Sequence, residues 1–146
     1  MKVADFMQKK PTALDENKPI RDVVRIIFEH KISAVPVLRE KELVGIVTEE
    51  DILTRLFPSV KEVMEDFTHA RSYESVEEKY KEMLLKPVKS IMTTPVKSVK
   101  SDTTVMRALS VIILNKFSHL PVIDDKNRLI GIISQGDFFR ILAAKR

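Results

Sequence analysis

Gly45-Ile46-Val47-Thr48-Glu49-Glu50-Asp51 and Gly131-Ile132-Ile133-Ser134-Gln135-Gly136-Asp137 carry one pattern twice: a glycine, two apolar residues, a hydroxyl residue and, three places on, an aspartate. The match extends upstream of both. With Val3 set on Val88, Met7 falls on Met92, Lys31-Ile32-Ser33 on Lys116-Phe117-Ser118, and Pro36-Val37 on Pro121-Val122. A one-residue insertion then brings Leu43, Gly45, Ile46 and Asp51 onto Leu129, Gly131, Ile132 and Asp137. Two of only three glycines in 146 residues share one repeat position, so the chain is a tandem duplication.

Each copy has the same internal order. A short extended segment (Thr12–Leu14; Val96–Val99) precedes an amphipathic stretch. In that stretch Ile20, Val23, Val24, Ile27 and Phe28, and again Val105, Ala108, Leu109, Ile112 and Ile113, recur at the steps of one helix face. A proline-bearing apolar run follows (Ala34–Leu38; Leu120–Ile123), then a polar turn and a second run (Leu43–Val47; Leu129–Ile133) that reads as its antiparallel neighbour. Helical segments, Glu49–Phe57 and Gln135–Ala144, close each unit. The expected fold is α/β, two β-α-β-β-α repeats at 1–57 and 87–146 joined by a partly helical connector at 58–86. One repeat alone buries too little surface to be comfortably stable, so the copies are expected to pack with pseudo-twofold symmetry and two equivalent clefts. In the connector, Ser75-Val76-Glu77-Glu78 reads as a capping box leading into Tyr80, Met83 and Leu84.

Composition narrows the function. The absence of cysteine excludes disulfides, thiolate catalysis and cysteine-ligated metal, and fits a reducing cytoplasm. No apolar run approaches the roughly 18 residues of a membrane span, and the N-terminus lacks a signal-peptide apolar segment, so a cytoplasmic protein without membrane attachment is expected. Basic and acidic residues balance at ten each over Met1–Leu56, whereas Pro87–Arg146 holds ten basic and four acidic. That excess suits either an anionic partner or a solvated basic face. His30 and His69 have no partner at ligand spacing, so no metal site is expected. A phosphate loop and an H-E-x-x-H motif are both missing, and Asp51 and Asp137 sit in separate repeats, so no enzyme is expected.

Thr48-x-x-Asp51 and Ser134-x-x-Asp137 admit two readings. The hydroxyl residue ends a strand and suits the N-cap of the next helix, with the aspartate bonding back to the cap amide. Equally, a helix start presents free N–H groups and a positive dipole end to a phosphate, while a carboxylate accepts from both hydroxyls of a ribose.

The two G-h-h-[ST]-x-x-D segments, together with Ser33-Ala34-Val35-Pro36-Val37 and Ser118-His119-Leu120-Pro121-Val122, resemble the CBS-domain family over residues 3–57 and 88–144. The resemblance implies an adenosine-type regulatory ligand (AMP, ADP, ATP or S-adenosylmethionine), with no cofactor required. It implies ribose contacts at Asp51 and Asp137, and contacts to phosphate or ribose at Thr48 and Ser134. Ligand phosphates are expected near Ser33, Ser118 and His119; His119 can donate to phosphate, whereas Ala34 offers no donor. The base is expected against Thr12, Val96, Lys97, Ile46 and Ile132, with Lys97 an alternative phosphate contact. Arg140 and Arg55, one turn past the aspartates, are further candidates for a phosphate tail.

The resemblance also implies a homodimer formed through the helices, and with no effector domain fused, an effector protein as the recipient of the signal. The favoured function is a ligand-sensing regulatory module. The alternatives are a ligand-independent dimerisation scaffold and, on charge alone, a nucleic-acid binder, which the 6% aromatic content and absent RNA- or DNA-binding signatures disfavour.

Overall fold

A computed structural model describes residues 1–56 and 72–144, with side chains from Glu77 onward in the helix that begins at Ser72. Seven strands and five helices are formed among these residues: β1 Gln8–Lys9, β2 Leu14–Asp15, α1 Ile20–His30, β3 Ala34–Arg39, β4 Glu42–Thr48, α2 Glu49–Leu56, α3 Ser72–Leu85, β5 Val99–Lys100, α4 Val105–Asn115, β6 His119–Ile123, β7 Leu129–Ser134 and α5 Gln135–Ala144. The β-α-β-β-α order therefore stands in both copies. The extended segments expected at Thr12–Leu14 and Val96–Val99 form strands only from Leu14 and Val99. Among the described residues no helix is long and apolar enough to cross a membrane.

The strands make two sheets, one in the order β1-β7-β6-β5 and one in the order β2-β3-β4. β5 lies parallel to β6 and β2 parallel to β3, while β6 and β7 run antiparallel, with Pro121 opposite Ile132. Pro36 and Pro121 each stand one residue before the short parallel pairings at Val37–Leu38 and Val122–Ile123, outside those ladders.

The chain forms two compact units that interleave along the sequence. One comprises Met1–Thr12, Arg39–Leu43 and Pro95–Arg146; the other comprises Ala13–Leu38 and Val44–Thr94. The lead-in of each repeat is thus built into the unit holding the body of the other. In the first unit Val3 is fully buried in a core with Val105, Ala108, Ile112, Leu120, Val122, Ile133 and Phe138. In the second, Val88 and Ile91 join Ile20, Val23, Val35, Val37, Val47 and Ile52.

The helical stripes are narrower than their sequence pattern. Ile20 and Val23 are buried, as are Val105, Ala108 and Ile112, but Phe28 is 82% exposed and Ile113 61%. Eight residues on from the first, at 100° each, a side chain lies about 80° round the helix, at the edge of a core-facing stripe. In the connector, α3 begins at Ser72, so Ser75 lies inside the helix and the capping box read at Ser75–Glu78 is not its start. Met83 is buried and Tyr80 and Leu84 are partly buried against the second unit's core.

Candidate functional site

Both [ST]-x-x-D motifs fall where a strand passes directly into a helix, β4 into α2 and β7 into α5. At the first, the reciprocal cap is complete. The Thr48 amide donates to Asp51 Oδ2 at 2.8 Å and the Asp51 amide donates to Thr48 Oγ1 at 3.2 Å. Asp51 Oδ1 also accepts from the Thr93 hydroxyl at 3.2 Å. Thr93 is itself fixed on β4, exchanging main-chain bonds of 2.8 and 3.2 Å with Ile46. Ser33 contributes its carbonyl, which accepts from the Glu49 amide at 3.0 Å, and so closes the start of α2 through its main chain.

The second motif is bonded differently. Asp137 Oδ2 accepts from the Ser134 amide at 2.7 Å and from the Ser134 hydroxyl at 3.1 Å, and Asp137 Oδ1 accepts from the Arg140 guanidinium. The hydroxyl that caps at Thr48 is here turned onto the carboxylate. Asp137 is one of the few buried charged residues, at 9% exposure. His119, on β6, stands opposite Ser134 in the sheet register, with Ser118 Oγ 2.9 Å from His119 Nδ1. Burial pushes the His119 imidazole below its ordinary value, opposed by the Asp137 charge. Ser118 also offers its carbonyl to the Gln135 amide, the counterpart of Ser33 and Glu49.

Asp137 opens onto a cavity of about 620 Å³ within the first unit, whose walls include Asp5, Phe6, Met7, Gln8 and Arg140. This volume lies in the range of small-molecule sites. The wall is shared by the two repeats: residues 5–8 come from the first and α5 from the second, held together because β1 pairs with β7 (Gln8 opposite Ile132, Lys9 opposite Gly131). Ile132, at 8% exposure, thus backs the lead-in strand. Thr12, Val96, Lys97, Ser118, His119, Ser134 and Ile132 are not among the residues that line this cavity, and Thr12 and Val96 are half-buried while Lys97 is exposed. Thr48, Asp51 and Ile46 come together with Thr93 in the second unit; Ser134, Asp137, Ser118 and His119 come together in the first.

Sequence reading missed the contribution of residues 5–8. A two-residue strand with both side chains exposed carries no alternation to find, and its only signal was the Met7–Met92 repeat match. Among the described residues no group of three acidic or histidine side chains is placed to hold a metal.

The CBS domain profile matches residues 3–58 and again residues 88–144. The uncharacterized protein MJ1426 of Methanocaldococcus jannaschii is 34% identical over 97% of this chain and 91% of its own length. MJ0188 of the same organism is 28% identical over 96% of this chain, which spans only 43% of that relative. Among solved structures, CBSX2 of Arabidopsis thaliana in complex with AMP superposes with a TM-score of 0.76 at 26% identity, covering 99% of this chain and 98% of that one. The duplicated motif, the strand-to-helix placement of both aspartates and the paired family match agree: this chain belongs to the CBS-domain family and carries two tandem CBS repeats.

Proposed function

We propose that the chain is a regulatory module that binds an adenosine-containing ligand of the AMP class in the cavity at Asp137 and reports occupancy to another protein. The single observation that carries this reading is the cavity of about 620 Å³ into which Asp137 opens. In it the Asp137 carboxylate accepts from ribose hydroxyls, while Ser134, Ser118 and His119, which cluster about Asp137 without lining the cavity, are the proposed donors for a phosphate that reaches past the carboxylate. The AMP held by CBSX2 supports the ligand class.

Repeat boundaries at 57 and 87, with 58–86 as connector, belong to the same proposal, as do a cytoplasmic setting and the absence of catalysis. So does a homodimer: α4 exposes Met106, Ile113 and Leu114, and α5 exposes Phe139 and Leu142, each by more than 60%. Apolar side chains gathered on neighbouring helices suit cover by a second copy.

One observation favours the scaffold reading for the first-repeat motif. Asp51 and Thr48 form a complete reciprocal cap, which Asp137 and Ser134 do not, and the other carboxylate oxygen of Asp51 is held by the uncharged Thr93 hydroxyl, so that aspartate has a structural role. Thermal unfolding with AMP, ADP, ATP and S-adenosylmethionine tests the proposal. Ligand at a hundredfold its Kd stabilises by about 2.7 kcal/mol, a rise of roughly 2–4 °C per kcal/mol for a chain of this size. A rise with AMP that vanishes in Asp137→Ala supports the module; no rise with any of the four leaves the scaffold.

A further inference from the structure

Both oxygens of Asp137 are engaged within the chain. Oδ2 takes the amide and hydroxyl of Ser134, and Oδ1 takes the guanidinium of Arg140. A carboxylate offers about four lone-pair positions. A ribose cis-diol needs two of them on the side facing the cavity, where the guanidinium sits. The diol and Arg140 therefore compete for Oδ1.

We infer that Arg140 is the specificity-determining residue of this cavity, exchanging the Asp137 carboxylate for the ligand's phosphate and so selecting a nucleoside monophosphate over the bare nucleoside. The inference rests on the reading of the cavity as an adenosine site. Several features make the exchange feasible. The Asp137 side chain is 12% exposed and pinned by Ser134, whereas Arg140 is 73% exposed, so the cation is the partner free to move. An exposed guanidinium loses little on leaving a carboxylate, because such pairs are worth little in water. Its planar fork matches phosphate as well as carboxylate, and a charge-assisted bond to phosphate restores what is lost. Of the described side chains lining the cavity Arg140 is the one cation, while Asp5 and Asp137 are both acidic. A bare nucleoside must break the same pair and receives nothing in return.

The first repeat is built otherwise. Thr54 occupies the position equivalent to Arg140, and its hydroxyl donates to the Glu50 and Asp51 carbonyls at 2.9 and 3.3 Å. Asp51 is therefore held by the hydroxyl of Thr93, which carries no charge to transfer.

Calorimetric titration of AMP and of adenosine into wild-type protein, Arg140→Gln and Arg140→Lys tests the exchange. The expected result is a pair of opposite shifts in Arg140→Gln: AMP weakened about tenfold and adenosine strengthened about threefold. Arg140→Lys should retain part of the AMP affinity, since it keeps the charge and loses the fork. Shifts of the same sign for both ligands, or no shift, overturn the inference and leave the adenosine site standing. Wild-type protein that binds neither compound overturns both.

Discussion

The thioether of Met7 lies directly over the α-carbon of Gly131, where a β-carbon would stand 2.5 Å from Sδ and 3.2 Å from the Gln8 carbonyl oxygen. Met92 lies over Gly45 in the same way, at 2.6 Å from Sδ. The repeated glycine is thus the seat of the lead-in segment of the other repeat, and in the first unit that segment forms the wall of the Asp137 cavity. Gly131→Ala should destabilise by about 1–3 kcal/mol, the usual cost of overpacking. Because the nearest clash is with Met7, the cost should shrink in a Met7→Ala background, with a coupling of about 0.5–1 kcal/mol. Denaturant unfolding of the four proteins of this cycle measures it; additive costs would show that Met7 and Gly131 are not in contact.

His119 gives a pH dependence whose sign is fixed. Burial lowers its pKa in the folded chain from the ordinary 6.5, so as acid is added the unfolded chain takes up the proton first. The contribution of neutral His119 is present above 6.5 and is lost as the pH falls from there through the lowered folded value. The Tm of the wild type should therefore drop more between about pH 7 and about pH 5 than that of His119→Gln. A bound phosphate reverses the preference by favouring imidazolium, so AMP affinity should rise on acidification more in wild type than in His119→Gln. The difference between the two proteins separates the imidazole from the titration of AMP itself.

Lys31 and Lys116 end α1 and α4 at equivalent places in the two repeats, both in the left-handed conformation at φ 53° and 56°. A side chain with a β-carbon is strained there, and glycine is the usual occupant. Lys116→Gly should raise stability by about 0.5–1 kcal/mol. Its guanidinium chloride midpoint, compared with that of the wild type, checks this. Lys31→Gly should behave alike, since the two caps share one geometry.

The β-α-β-β-α order was legible because its signals are local. The stripes beginning at Ile20 and Val105 have helical spacing, the proline runs are too short and apolar for anything but buried strands, and each [ST]-x-x-D marks a helix start. Ser118, His119, Ser134 and Asp137 were singled out through the family resemblance; the register sets His119 opposite Ser134, and Asp137 follows in the first turn of the next helix. What was not legible depends on distant parts of the chain. Pairing of Gln8 with Ile132 spans 124 residues and leaves no pattern in two exposed positions. Nor does spacing reveal that Thr93 bonds Asp51 while Arg140 bonds Asp137, because these partners differ between copies whose motifs are alike. Thr12, Val96 and Lys97 were expected in the first strands of the repeats, which form only from Leu14 and Val99, and the wall of the Asp137 cavity is made by residues 5–8.

The two aspartates should differ in their effect on ligand binding. Titration calorimetry of AMP into wild type, Asp51→Ala and Asp137→Ala should show binding to the first two and none to the third. Asp51→Ala should instead lose about 1 kcal/mol of stability, the cost of a helix cap. Undiminished AMP binding by Asp137→Ala, or the absence of AMP binding by the wild type, would contradict the assignment of the cavity at Asp137 as the adenosine site.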